Sequence, residues 1–138
     1  MAYILSYDLG TGGTKASLFD DQGRSLAAAF VSCDTYYPRE LYHEQRPDDW
    51  WQSVVKSTQT LLEKAPVNRE EIVCLAVSGH SLGVTPVDKD GALLTEFTPI
   101  WSDSRSACLP ARLSDQMGVN SVSRAPSLST WVTPRLWP

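Results

Sequence analysis

Eight residues near the start of the chain constrain it most. Asp8-Leu-Gly-Thr-Gly-Gly-Thr-Lys15 stands between two strand-like runs, Tyr3 to Tyr7 and Ala16 to Phe19, the second ending at Asp20-Asp21. A glycine-dense turn between strands bares backbone N–H groups and keeps side chains out of the way, as main-chain binding of a phosphate requires. Gly10, Gly12 and Gly13 supply that bare backbone. Thr11 and Thr14 would add hydroxyl donors and Lys15 a point charge, and Asp8 would meet a Mg²⁺ bridging nucleotide phosphates, directly or through water. The competing reading is an ordinary glycine-rich β-turn. Neither G-x-x-x-x-G-K-[ST] nor a helix-opening G-x-G-x-x-G is present, because the residues after Lys15 alternate like a strand. They turn at Asp20-Asp21-Gln22-Gly23 and resume as a third strand over Ser25 to Ser32.

Composition narrows the partners. With 138 residues the chain makes one domain or less, and a net charge of −4 without a Lys/Arg cluster argues against nucleic acid or an anionic membrane surface. A small-molecule substrate is expected. Cys33, Cys74 and Cys108 are widely spaced and form no C-x-x-C pair, so buried thiols fit better than a disulfide frame or a zinc site, and His43 and His80 add no recognised metal spacing. No basic segment with an apolar core opens the chain, and no run approaches ~18 apolar residues, so neither a signal peptide nor a membrane span is expected. The cytoplasm is the expected compartment.

Further along, a polar loop through Glu44-Gln45 leads to Pro47-Asp48-Asp49, a proline and two acids suited to a helix N-terminus. Trp51, Val54, Val55, Thr58, Leu61 and Leu62 then fall on one face, opposite Gln52, Lys56, Gln59 and Glu63, and Pro66 closes the helix. The adjacent Trp50 and Trp51 read as core anchors, with a sugar-stacking platform as the alternative. Ile72 to Val77 is a nearly continuous apolar run, the pattern of a strand buried on both faces. It ends in Ser78-Gly79-His80-Ser81-Leu82-Gly83, and the turn Asp88-Lys89-Asp90-Gly91 follows. Because ligands in open α/β sheets sit beyond the carboxyl ends of strands, both polar loops are expected to face one cleft.

Five blocks in order carry a resemblance: Asp8 to Lys15, Glu44 to Trp51, Ser78 to Gly83, Val87 to Gly91, and Ile100-Trp101-Ser102-Asp103-Ser104-Arg105. Over residues 3 to about 107 the sequence resembles the FGGY carbohydrate kinases, which include xylulokinase and glycerol kinase. The resemblance implies an α/β fold of the actin-like (ribonuclease H-like) ATPase type, here an N-terminal partial domain with a mixed sheet. It also implies ATP and Mg²⁺ as cofactors, and γ-phosphoryl transfer to a sugar or polyol hydroxyl. Carried over by position, Asp8, Gly10, Thr11, Thr14 and Lys15 belong to the phosphate and Mg²⁺ region. Ser81, Leu82, Trp101 and Asp103 lie at or beside the sugar pocket, with Arg105 next to them. Where xylulokinases have Ser-Gly-Gln-Met-His-Gly, this chain has His80, Ser81 and Leu82 for the central three, and glycerol kinases have Gln-Arg-Glu there. The polar groups those relatives offer to substrate hydroxyls are therefore missing, and neither xylulose nor glycerol follows as substrate. His80 is either a satisfied residue that orients the loop or a substrate contact.

Past Gln116-Met117-Gly118 the composition changes. Val119 to Pro138 has no period, three prolines, many serines and no Lys, Asp or Glu. A frameshifted or misread gene end and a real linker both explain it, and the segment 108–138 is expected to be poorly ordered. The family's proton-accepting Asp and second actin-like domain have no counterpart in the sequence, so the chain alone is expected to lack sugar kinase activity, to expose apolar surface and to associate, a homodimer being one form. Two other classes stand beside the kinase reading. One is a glucokinase or repressor that opens with a related loop, which leaves residues 101–105 unexplained. The other is a non-catalytic interaction fragment.

Overall fold

A computed structural model of the protein describes residues 1–65 and 67–105. Three eight-residue strands open it: β1 (Tyr3–Gly10), β2 (Gly13–Asp20) and β3 (Ser25–Ser32). A two-residue strand β4 (Glu44–Gln45) precedes helix α1 (Pro47–Lys64). A single 3-10 turn, Arg69–Glu71, leads to β5 (Ile72–Gly79), and β6 (Thr98–Pro99) pairs antiparallel with β4. The main sheet runs β3-β2-β1-β5, with the first three antiparallel and β5 parallel to β1. This is the mixed sheet expected of a partial α/β domain.

The glycine segment is shorter as a loop than its sequence suggests. β1 and β2 stay in register up to Gly10 opposite Gly13, so Thr11-Gly12 alone form the tip and Asp8 sits directly across from Lys15 within the ladder. Gly13 has φ +146°, and a Cβ there would stand 2.3 Å from the Val31 carbonyl oxygen and 2.7 Å from both the Phe30 ring and Ser32 Cα. Only glycine fits. The second hairpin turns as expected: the Asp20 carboxylate accepts from the backbone N–H of Gln22 and Arg24 and from Arg24 Nε, and Gly23 takes φ +76°. These hydrogen bonds, the Arg24 amide first, hold the Asp20 carboxyl below the usual range.

Alternation along the strands sorts the sheet into two faces. Leu5, Ala16, Leu18 and Ala29 turn toward α1 and bury with Leu61. The helix meets them with a face rotated from the expected one: Ser53, Ser57 and Leu61 are buried, Val54, Val55 and Leu62 only half-buried. Alanines on the sheet allow close approach, and small serines on the helix exploit it. Their hydroxyls are satisfied by donating back to Trp50 O (2.7 Å) and Val54 O (3.1 Å). Trp50 is half-buried as an anchor, but Trp51 is 64% exposed, contrary to the paired-anchor expectation, because it lies a full residue step off the buried stripe. Lys64 ends the helix; Pro66 and Cys108 lie outside the described residues, as does the segment 108–138.

The Ile72–Val77 run forms β5, yet the expectation of burial on both faces fails. Val73, Leu75 and Val77 are 67%, 67% and 71% exposed. α1 lies over β2 and β3, whereas β5 flanks β1 at the sheet's far edge, and among the described residues nothing covers it. Cys74, in this strand, is an exposed thiol rather than the buried one expected.

Candidate functional site

The sheet face opposite α1 carries a polar row. In register, Lys15, Asp8 and Ser78 lie side by side across β2, β1 and β5, flanked by the apolar Phe30 on β3, and Ser17 pairs with Ser6 one step below Lys15 and Asp8. A shallow concavity of about 370 Å³ opens over these strands, lined by Ser6, Asp8, Lys15, Ser17 and Ser78 among others. Among the described residues the side chains of Asp8 and Lys15 enter no ion pair. A carboxylate and an ammonium left to solvent beside a bare glycine tip can meet a metal-bound anion together. No group of three or more His, Cys, Asp or Glu able to hold a metal occurs among the described residues. A Mg²⁺ at Asp8 would therefore take its other ligands from phosphate oxygens and water, which is its usual manner.

The tip itself is gripped from two sides. Gln45 Nε2 donates to the Thr11 carbonyl at 2.7 Å, and Trp101 Nε1 donates to the Thr11 hydroxyl at 2.8 Å. Gly12 is exposed, with open space where a Cβ would project, and its carbonyl accepts from Cys33 N. Thr14 alternates to the other face. It is buried against α1 with its hydroxyl 2.6 Å from Ser53 Oγ, so it ties hairpin to helix rather than opening toward the concavity.

Because β5 runs parallel to β1, the chain leaves β5 at the same end of the sheet as the glycine tip. His80 N and Nδ1 both reach the Leu9 carbonyl, at 2.9 and 3.1 Å. A carbonyl only accepts, so Nδ1 carries a proton here. The His80 ring also meets Trp50 edge to face, centroids 5.2 Å apart. These contacts tie the loop to the end of β1 and to the first turn of α1. Ser81 and Leu82 are exposed, and Leu82 adopts φ +67°, an unfavourable backbone for a branched residue.

Asp103 and Arg105 form a separate clamp. The Asp103 carboxylate accepts from His43 N (2.9 Å) and from Arg105 Nε and Nη2, while Arg105 also reaches Glu44 and lies over the Tyr42 ring, 3.7 Å from its centre. Arg105 bonding, ahead of the opposing effect of burial, lowers the Asp103 pKa, and the Asp103 contact raises that of Arg105. His43 Nδ1 lies 2.9 Å from Ser102 Oγ, closing the tie between 42–45 and 101–105. The clamp thus places Trp101 on Thr11.

Sequence reasoning assigned roles to Asp103, Arg105 and Trp101 but none to Gln45, Glu44, His43 or Ser78. Glu44 and Gln45 stood inside a recognised block, and an uninterrupted polar pair just before an amphipathic helix was the signal available. Ser78 follows from the parallel register, which the sequence alone does not give.

Comparison with solved structures places the fold. A xyloylose kinase from Brucella ovis superposes with a TM-score of 0.79 at 27% identity, covering 88% of this chain and 25% of that one. Plasmodium falciparum glycerol kinase with ADP shares the fold at a TM-score of 0.73 and 19% identity, covering 89% of this chain and 25% of that one. The fold is that of an actin-like ATPase domain, in part. The sequence matches the profile described as "FGGY family of carbohydrate kinases, N-terminal domain" over residues 3–133. The chain belongs to that family. Among curated relatives it is 28% identical to a gluconokinase of Bacillus licheniformis (88% of this chain, 23% of the relative). It is 29% identical to a glycerol kinase of Chelativorans sp. (80% and 22%) and 26% identical to a xylulose kinase of Bacillus subtilis (86% and 23%). The chain thus spans about a quarter of the length of these relatives. No helix among the described residues is long and apolar enough to cross a membrane.

Proposed function

We propose that the chain provides the phosphate-holding hairpin and one wall of the sugar pocket of an ATP-dependent kinase that phosphorylates a hydroxyl of a sugar, sugar acid or polyol. The observation that carries this is the cross-strand pair Asp8 and Lys15, side by side on the open face, one turn from a glycine tip. ATP with Mg²⁺ supplies the phosphoryl group. Asp8 would hold the metal, Lys15 would meet the phosphate oxygens, and the Thr11-Gly12 tip, presented by the ladder pair Gly10 and Gly13, would offer backbone N–H donors; Thr14 supports that backbone from behind through Ser53. Such transfer depends on positioning and charge neutralisation, which are the properties this face has. His80, Ser81, Leu82, Trp101, Asp103 and Arg105 build the sugar side, with Ser81 and the Trp101 ring the parts most open to a ligand. The named relatives act on gluconate, glycerol and xylulose at similar identity, so the acceptor is assigned only as a polyhydroxy compound.

Among the described residues none is assigned the role of the proton-accepting Asp, and the reading expects the 138-residue chain alone to turn over no sugar. Two measurements test the reading. Equilibrium binding of Mg²⁺-ADP should be saturable and weak, with a Kd near ~1 mM, about −4 kcal/mol, and should weaken on Asp8→Asn. Absence of binding, or binding indifferent to Asp8→Asn, refutes the phosphate assignment. Sugar-dependent ADP release from Mg²⁺-ATP with any of a panel of ketoses, aldoses, sugar acids and polyols refutes the need for further residues.

A further inference from the structure

Gln45 is fully buried, and every polar atom of its side chain is used. Its Nε2 donates to Thr11 O (2.7 Å) and Thr35 Oγ1 (3.0 Å), and its Oε1 accepts from Trp50 Nε1 (2.9 Å). Trp50 in turn packs edge-on against His80, which is bonded to Leu9 O, while Thr11 carries Trp101 on its hydroxyl. One amide therefore joins the glycine tip, the loop after β3, the first turn of α1 and, through Trp50, the loop 78–83. A buried amide with all partners in place has one low-energy orientation, since rotation would leave donors facing donors.

We propose that Gln45 is a positioning residue of this pocket: it locks the glycine tip to the loop 78–83 and to Trp101, so that the phosphate-facing and sugar-facing walls hold one relative setting. The proposal rests on the functional reading above for the naming of those walls. The coupling itself concerns only the contacts just described.

Chemical shifts of the Trp50 and Trp101 indole N–H groups, the His80 ring and the Thr11 to Gly13 amides, recorded on the 138-residue chain, test it. Gln45→Met keeps the side-chain length and removes every hydrogen bond. It should shift not only Trp50, its direct partner, but also Trp101 and His80, neither of which is bonded to Gln45. Affinity for Mg²⁺-ADP should fall about tenfold, the usual effect of one lost interaction of this strength. Trp50→Phe is the second variant, should Gln45→Met fail to fold. It retains the ring against His80 yet removes the donor to Gln45, and it should move the Thr11 to Gly13 amides, to which Trp50 is not bonded. A folded Gln45→Met variant, or a Trp50→Phe variant, whose changes stop at the direct partners of the mutated side chain overturns the proposal. If the unmodified chain fails to bind Mg²⁺-ADP, the functional reading falls, and the indole and imidazole signals still decide the coupling.

Discussion

Replacing Gly13 by alanine probes the geometry of the hairpin with little ambiguity. The new Cβ would lie 2.3 Å from Val31 O and 2.7 Å from Ser32 Cα, both backbone atoms of the paired strand, so relief requires moving β3 rather than a side-chain end. The φ of +146° adds backbone strain of about 1–3 kcal/mol, and overpacking against a fixed neighbour adds about 1–3 kcal/mol. The expected loss is ~2–6 kcal/mol, a large part of the ~5–15 kcal/mol by which domains are stable. Gly12→Ala is the control: nothing lies within 4 Å of its Cβ position, and its effect should stay within about 0.5 kcal/mol. Urea denaturation followed by far-UV circular dichroism separates them. With a slope of about 1.5 kcal/mol per molar, Gly13→Ala should lower the midpoint by about 1–4 M and Gly12→Ala should leave it in place. Equal midpoints for the two variants would refute the two-residue tip and the close approach of β3.

Three further outcomes follow from the contacts described. Ser53→Ala strips the buried Thr14 hydroxyl of its partner, so it should cost about 1–3 kcal/mol by the same denaturation assay, whereas the paired change Thr14→Val with Ser53→Ala should cost less than the sum of the singles. Arg105→Met leaves Asp103 buried without its cation. The variant should lose stability and shift the Trp101 indole N–H resonance together, and an unaffected Trp101 would separate the clamp from Thr11. Asp20 and Asp103 both have lowered folded pKa values, so each stabilises the fold fully above the unfolded carboxylate value of ~3.9 and loses that contribution as the pH falls through its lower folded value. Stability should therefore be flat with respect to these two groups above about pH 5 and fall below about pH 4, and Asp103→Asn should flatten the acid limb measured by thermal melts.

Much of the fold was legible because local chemistry and tertiary structure agree. Period-two alternation, Asp20 to Gly23 and Asp88 to Gly91 marked strands and turns that form as read; Asp88 Oδ1 accepts from Asp90 and Ala92 N, with Gly91 at φ +84°. The helix was legible but its buried stripe was not. Hydrophobicity ranked Val54 and Val55 above Ser53 and Ser57, whereas the alanine-rich sheet surface selects small residues, a property of the partner and not of the helix. β5 failed for a related reason, since an apolar run states what a strand could bury and not what lies over it. In the site, Asp8 and Lys15 were identifiable by residue type. Their pairing within the ladder, the turning of Thr14 to the opposite face and the joining role of Gln45 depend on register and long-range contacts that one sequence does not encode locally.

The most direct test of the account is a residue-resolved titration of the 138-residue chain with Mg²⁺-ADP, following every backbone amide by ¹H–¹⁵N spectroscopy. The account predicts saturable shifts centred on Asp8 and the Gly10 to Gly13 tip, with Lys15 and Ser78 beside them and little change at Ala27 and Ala29 on the helix-facing side. Shifts confined to other surfaces, or a tip that does not respond while the strands remain folded, would contradict it.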